Sequence, residues 1–359
     1  MNAVDATVDL DDGDGLLAAD RNGLLRAAAM AGAQVRATAA AFSEGTLEPL
    51  RSDHPPRTVI WVAGRGVAET AGAMLAAALG GSVATPIVVA AETPPWIGAL
   101  DVLVVAGDDP GDPALVNAAA TGVRRGARVL VVGAYEGPLR DVTAGRAVAL
   151  APRLWVPDDF GLTRYLAAGL AVLQVLDAGI RVDLAALADE LDAEALRNSA
   201  GRELFTNPAK TLADRMSGYD VVLAGDTAAT LALARHGAAT MLRVAGEVVA
   251  AAGLADVLAA EGSGATRSAG SGAERSLFHD EQIDGPLPRR MRTFVVSTDV
   301  ERPNVAARIG GFDDISVIGA EDVPELAGTA LPMGRPEQQL AIMAVRLEMT
   351  AVYLKLVRG

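Results

Sequence analysis

Two turns in this chain place glycine and charge where anion chemistry requires them. The first, Gly64-Arg65-Gly66-Val67-Ala68-Glu69, follows an apolar run and leads into a helical pattern. Glycines there let backbone amides approach an anion at a helix N-terminus, where the helix dipole also favours negative charge. Gly64, Arg65 and Gly66 are therefore candidate binding residues, with a plain tight turn as the competing reading. A dinucleotide fingerprint would need a third glycine at position 69, which is Glu69, so a nicotinamide dehydrogenase is not expected. The second turn is Asp108-Asp109-Pro110-Gly111-Asp112-Pro113. Its carboxylates either cap free helix amides or gather a cation, and in both cases they repel a phosphate. Self-capping is the expectation, and Asp108 and Asp109 join the candidate binding residues.

Three further residues have types suited to proton transfer and charge stabilisation. Glu247, in RVAGEVVAAAG, reads as part of a helix among apolar neighbours, where a raised pKa would suit a general base; the alternative is a solvated glutamate. His279 lies in SLFHDEQIDGPLPRR beside Asp280 and Glu281, which favour its protonated form. It is the best acid/base candidate among His54, His236 and His279, against a plain surface histidine. Arg164 opens an otherwise apolar helix after VPDDFGLT and offers a fixed cation, or simply an exposed arginine.

Composition narrows the chemistry. The chain has 359 residues, no cysteine and three scattered histidines, which exclude a disulfide framework, a thiolate nucleophile and a Cys- or His-rich metal site. No metal and no cofactor are expected. A formal charge of −14 argues against nucleic acid and against an anionic membrane surface as partners. Only Lys210 and Lys355 are lysine. The acidic start, MNAVDATVDLDDGDG, lacks the basic and apolar regions of a signal peptide, and no apolar run reaches the roughly 18 to 20 residues of a membrane span. A cytoplasmic protein is the expectation.

These residues must be positioned by regular elements. Residues 15–42 read as one helix, preceded by Asp11, Asp12 and Asp14. From 57 to 150, short runs such as TVIWVAG, PIVVA, DVLVVAG, ARVLVVG and RAVALAP alternate with helical segments. Strands apolar on both faces, alternating with helices, predict a parallel sheet covered on both sides. Two helices follow, over 160–179 and 183–204, and the alternation restarts after NPAK with YDVVLAG, a long helix from DTAAT onward, RTFVVST, DISVIGA and a final helix over 336–358. The fold class is α/β, with two doubly wound, flavodoxin-like domains. The Gly/Ser/Ala-rich stretch 261–276 reads as a mobile insertion.

Over nearly its whole length the chain resembles the SIS (sugar isomerase) domain family, and within it the bifunctional phosphoglucose/phosphomannose isomerases. The resemblance is carried by LDDGDGLLAADRNGLLRAAAMAGAQVRATAAAF, VIWVAGRGVAETAG, ALDVLVVAGDDPGDPALVNAAATGVRRGARVLVVG, VPDDFGLTRYLAAGL, NPAKTLADRMSGYDVVLAG, GEVVA, FHDEQIDG and MAVRLEMTAVYLKLVRG, in family order. It implies a helical arm over 1–50, a first SIS domain over 51–180, a helical linker over 181–210 and a second SIS domain over 211–359. It further implies a homodimer that binds a hexose 6-phosphate and interconverts aldose and ketose, with Glu247 moving a proton between C1 and C2, His279 opening the ring across the dimer interface and Arg164 stabilising the enediolate. The chain departs from the family where Val67 replaces a serine, where AGDDPGDP replaces a hydroxyl-rich phosphate loop, where Thr163 replaces a proline, and at His279-Asp280-Glu281; the family's C-terminal catalytic lysine has no counterpart beyond Lys355. A charge-assisted hydrogen bond contributes roughly 1.5 to 3 kcal/mol, so losing two hydroxyl contacts weakens phosphate binding by about two to four orders of magnitude. The departures support an alternative: a catalytically silent SIS protein that acts as a regulatory or scaffolding partner of an enzyme in sugar-phosphate or mannose metabolism.

Overall fold

The computed structural model describes residues 8–64, 66–177, 179–263, 290–321 and 335–358. The N-terminal arm, expected as one helix, is three: α1 (Gly13–Ala19), α2 (Leu24–Ala28) and α3 (Ala31–Ser43). Asp20 causes the break. Its carboxylate accepts hydrogen bonds from the amides of Leu24 (2.8 Å) and Leu25 (2.9 Å), so it starts a new helix instead of continuing the old one.

The first alternating region gives β1 (Thr58–Ala63), α4 (Val67–Leu79), β2 (Ile87–Ala90), β3 (Asp101–Ala106), α5 (Pro113–Arg124), β4 (Arg128–Val132), α6 (Gly137–Thr143) and β5 (Val148–Leu150). All strands pair in parallel in the order β2-β1-β3-β4-β5. Helices α7 (Leu162–Leu176), α8 (Leu184–Arg197) and α9 (Pro208–Met216) lead to a second parallel sheet. Its elements are β6 (Asp220–Gly225), α10 (Ala228–Thr240), β7 (Ala250–Gly253), α11 (Leu254–Gly262), β8 (Met291–Val296), α12 (Arg302–Ile309) and β9 (Ile315–Ile318), and its order is β7-β6-β8-β9. Among the described residues, the second sheet thus repeats the order of the first with one strand fewer. Strand β7, of sequence AAAG, was hidden inside an expected helix. That helix ends at Thr240, passes through a π turn (Met241–Ala245) and is stopped by Gly246, whose φ of 69° puts it in the left-handed region that glycine tolerates.

Alternation of side chains assigns each sheet two different neighbours. In β1, Val59 and Trp61 join a large core with α4, α7 and α10, whereas Ile60 and Val62 join a separate cluster with Leu115, Ala118 and Ala119 of α5. In the second sheet, Leu223, Phe294 and Val296 face the same large core, while Ala224 and Val295 pack against Leu254, Val257 and Val305 on the outside. One helical layer is therefore shared by the inner faces of both sheets. The last helix, α13 (Pro336–Arg358), runs through this layer and is buried along most of its length. Among the described residues no helix is long and apolar enough to cross a membrane.

A charge on so buried a helix must be paired. Arg346 of α13 donates to Glu194 of α8 through Nε to Oε1 (2.7 Å) and Nη2 to Oε2 (3.2 Å), and also reaches the carbonyls of Gly319 and Ala320. Burial alone would raise the Glu194 carboxyl. The charge and hydrogen bonds of Arg346, with help from Arg197 and Asn198, outweigh it and hold the carboxyl below its ordinary value. Glu194→Gln leaves Arg346 buried without its counter-charge and should cost about 3 to 5 kcal/mol in urea denaturation at neutral pH. Because the folded-state pKa is depressed, the stabilisation is complete above the unfolded value of 4.5 and is lost as pH falls through the folded value. The gap between wild type and variant should therefore narrow on acidification, and a gap independent of pH would contradict the assignment.

Candidate functional site

Helices α4 and α5 leave adjacent strands, β1 and β3, toward opposite faces of the first sheet. A crevice consequently opens at the carboxyl ends of those two strands, where open α/β sheets bind ligands. On its β1 side, the amide of Gly64 donates to the carbonyl of Ala106 (2.7 Å), extending the ladder beyond the strands. Gly66 adopts φ 95° and ψ −135°, a conformation open to glycine, and α4 begins with no side-chain cap. Arg65 lies outside the described residues.

The β3 side of the crevice supplies its own anions. Asp112 caps α5 by accepting from the amide of Ala114 (2.8 Å), and Asp109 accepts from the amide of Gly111 (2.8 Å). Asp108 forms an ion pair with Arg164, which reaches over from the first turn of α7. The Arg164 side chain is 13% exposed, its guanidinium stacks on the Tyr165 ring at 4.2 Å, and its Nη1 is buried without a hydrogen-bond partner. The Thr163 hydroxyl is also buried and unpartnered, and that of Tyr165 is buried against Asp108 and Arg164. Burial pushes the Tyr165 phenol far above its ordinary value; Arg164 opposes that shift and Asp108 adds to it. Asp158 still reaches solvent, yet partial desolvation raises its carboxyl, Asp108 and Asp159 raise it further, and Arg164 pulls the other way.

The segment before α7 is held from two sides. Gln34 of α3 donates to the carbonyl of Phe160 (2.9 Å), and Asp159 pairs with Arg243 at 2.5 Å. A cavity of about 20 Å3, room for one water, adjoins Arg164 between Gln34, Val132 and Leu150.

Glu247 is not in a helix. It follows the left-handed Gly246, donates its amide to the carbonyl of Met241 (3.1 Å), and pairs its carboxylate with Arg358 at the end of α13. Its loop begins just after Arg243, so the Arg243–Asp159 pair ties it to the segment that carries Arg164. His279 and most of the 261–276 stretch lie outside the described residues. Lys210 is wholly buried and donates to the carbonyls of Ala200 (2.7 Å) and Arg202 (2.8 Å), which makes it a brace between α9 and the end of α8. Tyr165 and Asp158 went unnoticed in the sequence, although the acidic pair in VPDDF and the aromatic next to Arg164 were visible signals.

The second sheet has a corresponding crevice between β6 and β8. Here Thr227 and Thr230 form a reciprocal cap on α10. The carboxylate of Glu301 accepts from the amide (2.9 Å) and hydroxyl (2.8 Å) of Thr298 and from the hydroxyl of Thr230 (3.4 Å). Among the described residues, no group of three or more His, Cys, Asp or Glu side chains could hold a metal ion.

No protein-family model matches the sequence, and no curated protein does. Solved structures match the fold. A candidate phosphosugar isomerase from Clostridium difficile aligns over 94% of this chain and 93% of its own, at 13% identity and a TM-score of 0.63. The tagatose-6-phosphate ketose/aldose isomerase of Escherichia coli covers 100% of this chain and 95% of its own, at 15% identity and a TM-score of 0.60. A glucose-6-phosphate isomerase-like protein of Thermus thermophilus covers 98% and 94%, at 18% identity and a TM-score of 0.51. The paired parallel sheets are therefore those of the SIS-domain fold.

The raised pKa of Asp158 has a testable sign. Its proton is held more tightly in the folded state, so folded wild type loses stability as pH rises from the unfolded value of 3.8 through the higher folded one. Asp158→Asn removes that loss. Its melting temperature relative to wild type should rise modestly as pH goes from about 4 to neutrality, and a difference that stays flat would contradict a carboxyl raised by desolvation and by Asp108.

Proposed function

We propose that the protein binds a hexose or hexose phosphate in the crevice between β1 and β3 and interconverts its aldose and ketose forms, in the manner of the phosphoglucose/phosphomannose isomerases. The observation that carries this reading is Arg164, a nearly buried guanidinium with an unused Nη1, set at the switch point of a SIS-type sheet. A fixed cation there stabilises the negative charge that develops on oxygen as an enediolate forms. In this reading His279 assists ring opening. Glu247 takes the proton from C2 and returns it to C1, and the hydroxyl proton shifts between the two oxygens, so no redox cofactor is consumed. The assembly is a homodimer, since the resemblance places His279 across the dimer interface. Arg358 must release Glu247 before the carboxylate can act.

A second reading rests on those same ion pairs. Arg164 is engaged by Asp108 and Glu247 by Arg358, as in a protein that retains the fold without turnover and serves as a regulatory or scaffolding partner of a sugar-metabolising enzyme. The two readings separate in one assay. Purified protein is supplied with fructose, glucose and mannose, each free and as the 6-phosphate, and aldose–ketose interconversion is followed. Under the first reading turnover is seen, and Glu247→Gln lowers it by about a hundredfold or more with the fold retained. Turnover that survives Glu247→Gln removes Glu247 from the chemistry. Absence of turnover on all six sugars, with a sugar-metabolising enzyme recovered stoichiometrically on affinity purification, establishes the second reading.

A further inference from the structure

A guanidinium at the switch point is a place for an anion, and in this chain the place is already taken. Asp108 pairs with Arg164, Asp109 occupies the amide of Gly111, and Asp112 occupies the amide of Ala114 and caps α5. A phosphate arriving at the β3 turn would have to displace a carboxylate from Arg164 and then sit among Asp108, Asp109, Asp112 and the nearby Asp158. The second crevice has the same character, because Glu301 holds the amide and hydroxyl of Thr298.

What the first crevice keeps is a set of acceptors and one unspent donor. Tyr165 is 0% exposed, and its hydroxyl lies against the Asp108–Arg164 pair. Arg164 Nη1 is buried and unpartnered. Buried polar groups are nearly always satisfied, so Arg164 Nη1, beside the acceptors Asp108 and Asp158, has a place for one more polar partner. Carboxylates accept from O–H and N–H donors, which sugars and amino sugars present in abundance and a phosphate dianion does not.

We propose that Asp108 sets the ligand class of this crevice, as an internal anion that excludes phosphate at the β3 turn and selects an unphosphorylated, hydroxyl-rich ligand such as a neutral hexose or an amino sugar. This rests on the reading of the crevice as the ligand site, and it names what that site takes.

Isothermal titration of the full chain tests it, with glucose, mannose, fructose and glucosamine, their 6-phosphates, and inorganic phosphate as probes. Wild type should bind at least one free sugar about tenfold or more tightly than its 6-phosphate, the factor that one charge-assisted hydrogen bond carries. Glucosamine favoured over glucose identifies the ammonium as the group read, and equal binding identifies the hydroxyls; both support the proposal. Equal or tighter binding of the 6-phosphates by wild type overturns it while leaving the crevice reading intact. Asp108→Ser and the isosteric Asp108→Asn both free Arg164, and either should shift preference toward the 6-phosphates and inorganic phosphate by about tenfold or more. No shift in either folded variant overturns the role of Asp108. If wild type binds no sugar but a variant gains inorganic phosphate, the internal-anion role stands and the sugar-binding function falls. If no probe binds any of the proteins, both fall.

Discussion

A long helix with almost no exposed face cannot carry an unpaired charge, and α13 imposes that condition on everything packed around it. Arg346 is satisfied by Glu194 of α8 and by the carbonyls of Gly319 and Ala320 near β9. Glu348, raised by burial, finds His236 of α10 at 3.0 Å. Tyr353 donates to the carbonyl of Asn198 (2.6 Å), and its phenol is pushed up to about 12, chiefly by burial. These contacts fix α8 and α10 against one axis. The same helix ends at Arg358, which meets Glu247. The position of the candidate base is thus a consequence of how the core neutralises its charges.

The two crevices show the same economy of charge. A parallel sheet leaves helix amides unsatisfied at the carboxyl ends of its strands, and those amides attract anions. Here the chain supplies anions of its own: Asp112 on the Ala114 amide of α5, Asp109 and Glu301 on amides of the turns leading into their helices, and Asp108 on the Arg164 guanidinium. Part of the −14 formal charge is therefore placed locally, at the turns where the resemblance would have put phosphate-binding hydroxyls.

The parts of the fold visible in the sequence were those governed by local chemistry. Runs such as TVIWVAG and DVLVVAG are β-branched and apolar on both faces, which few structures other than a covered parallel strand accept. Strand β7 escaped because AAAG has the composition of a helix; its extended form is set by pairing with β6 over Val222–Gly225 and by the left-handed Gly246 before it. The break in the arm escaped because capping by Asp20 competes with helix continuation at nearly equal local cost. At the candidate site, residue types were legible and partnerships were not. Asp108 and Arg164 are separated by 56 positions, and no periodicity connects them. The scarcity of lysine suggested a catalytic question, whereas burial makes Lys210 a donor to two carbonyls between α8 and α9.

The continuous core also limits how a ligand can be admitted. Because α4 and α10 pack together in one layer shared by both sheets, hinge opening between the two halves would expose the apolar surface that these helices bury against each other. Side-chain exchange is cheaper. Releasing Asp108 from Arg164 leaves a partly buried charge short of a partner, at a cost of about 1 to 3 kcal/mol or somewhat more that the incoming ligand has to offset. A ligand that donates hydrogen bonds to Asp108 while the ion pair stays closed avoids that cost, whereas one that must replace the carboxylate does not. If the crevice is the ligand site proposed above, its selectivity follows from the rigidity of the layer beneath it: the less the halves can move, the more the resident ion pair decides what binds.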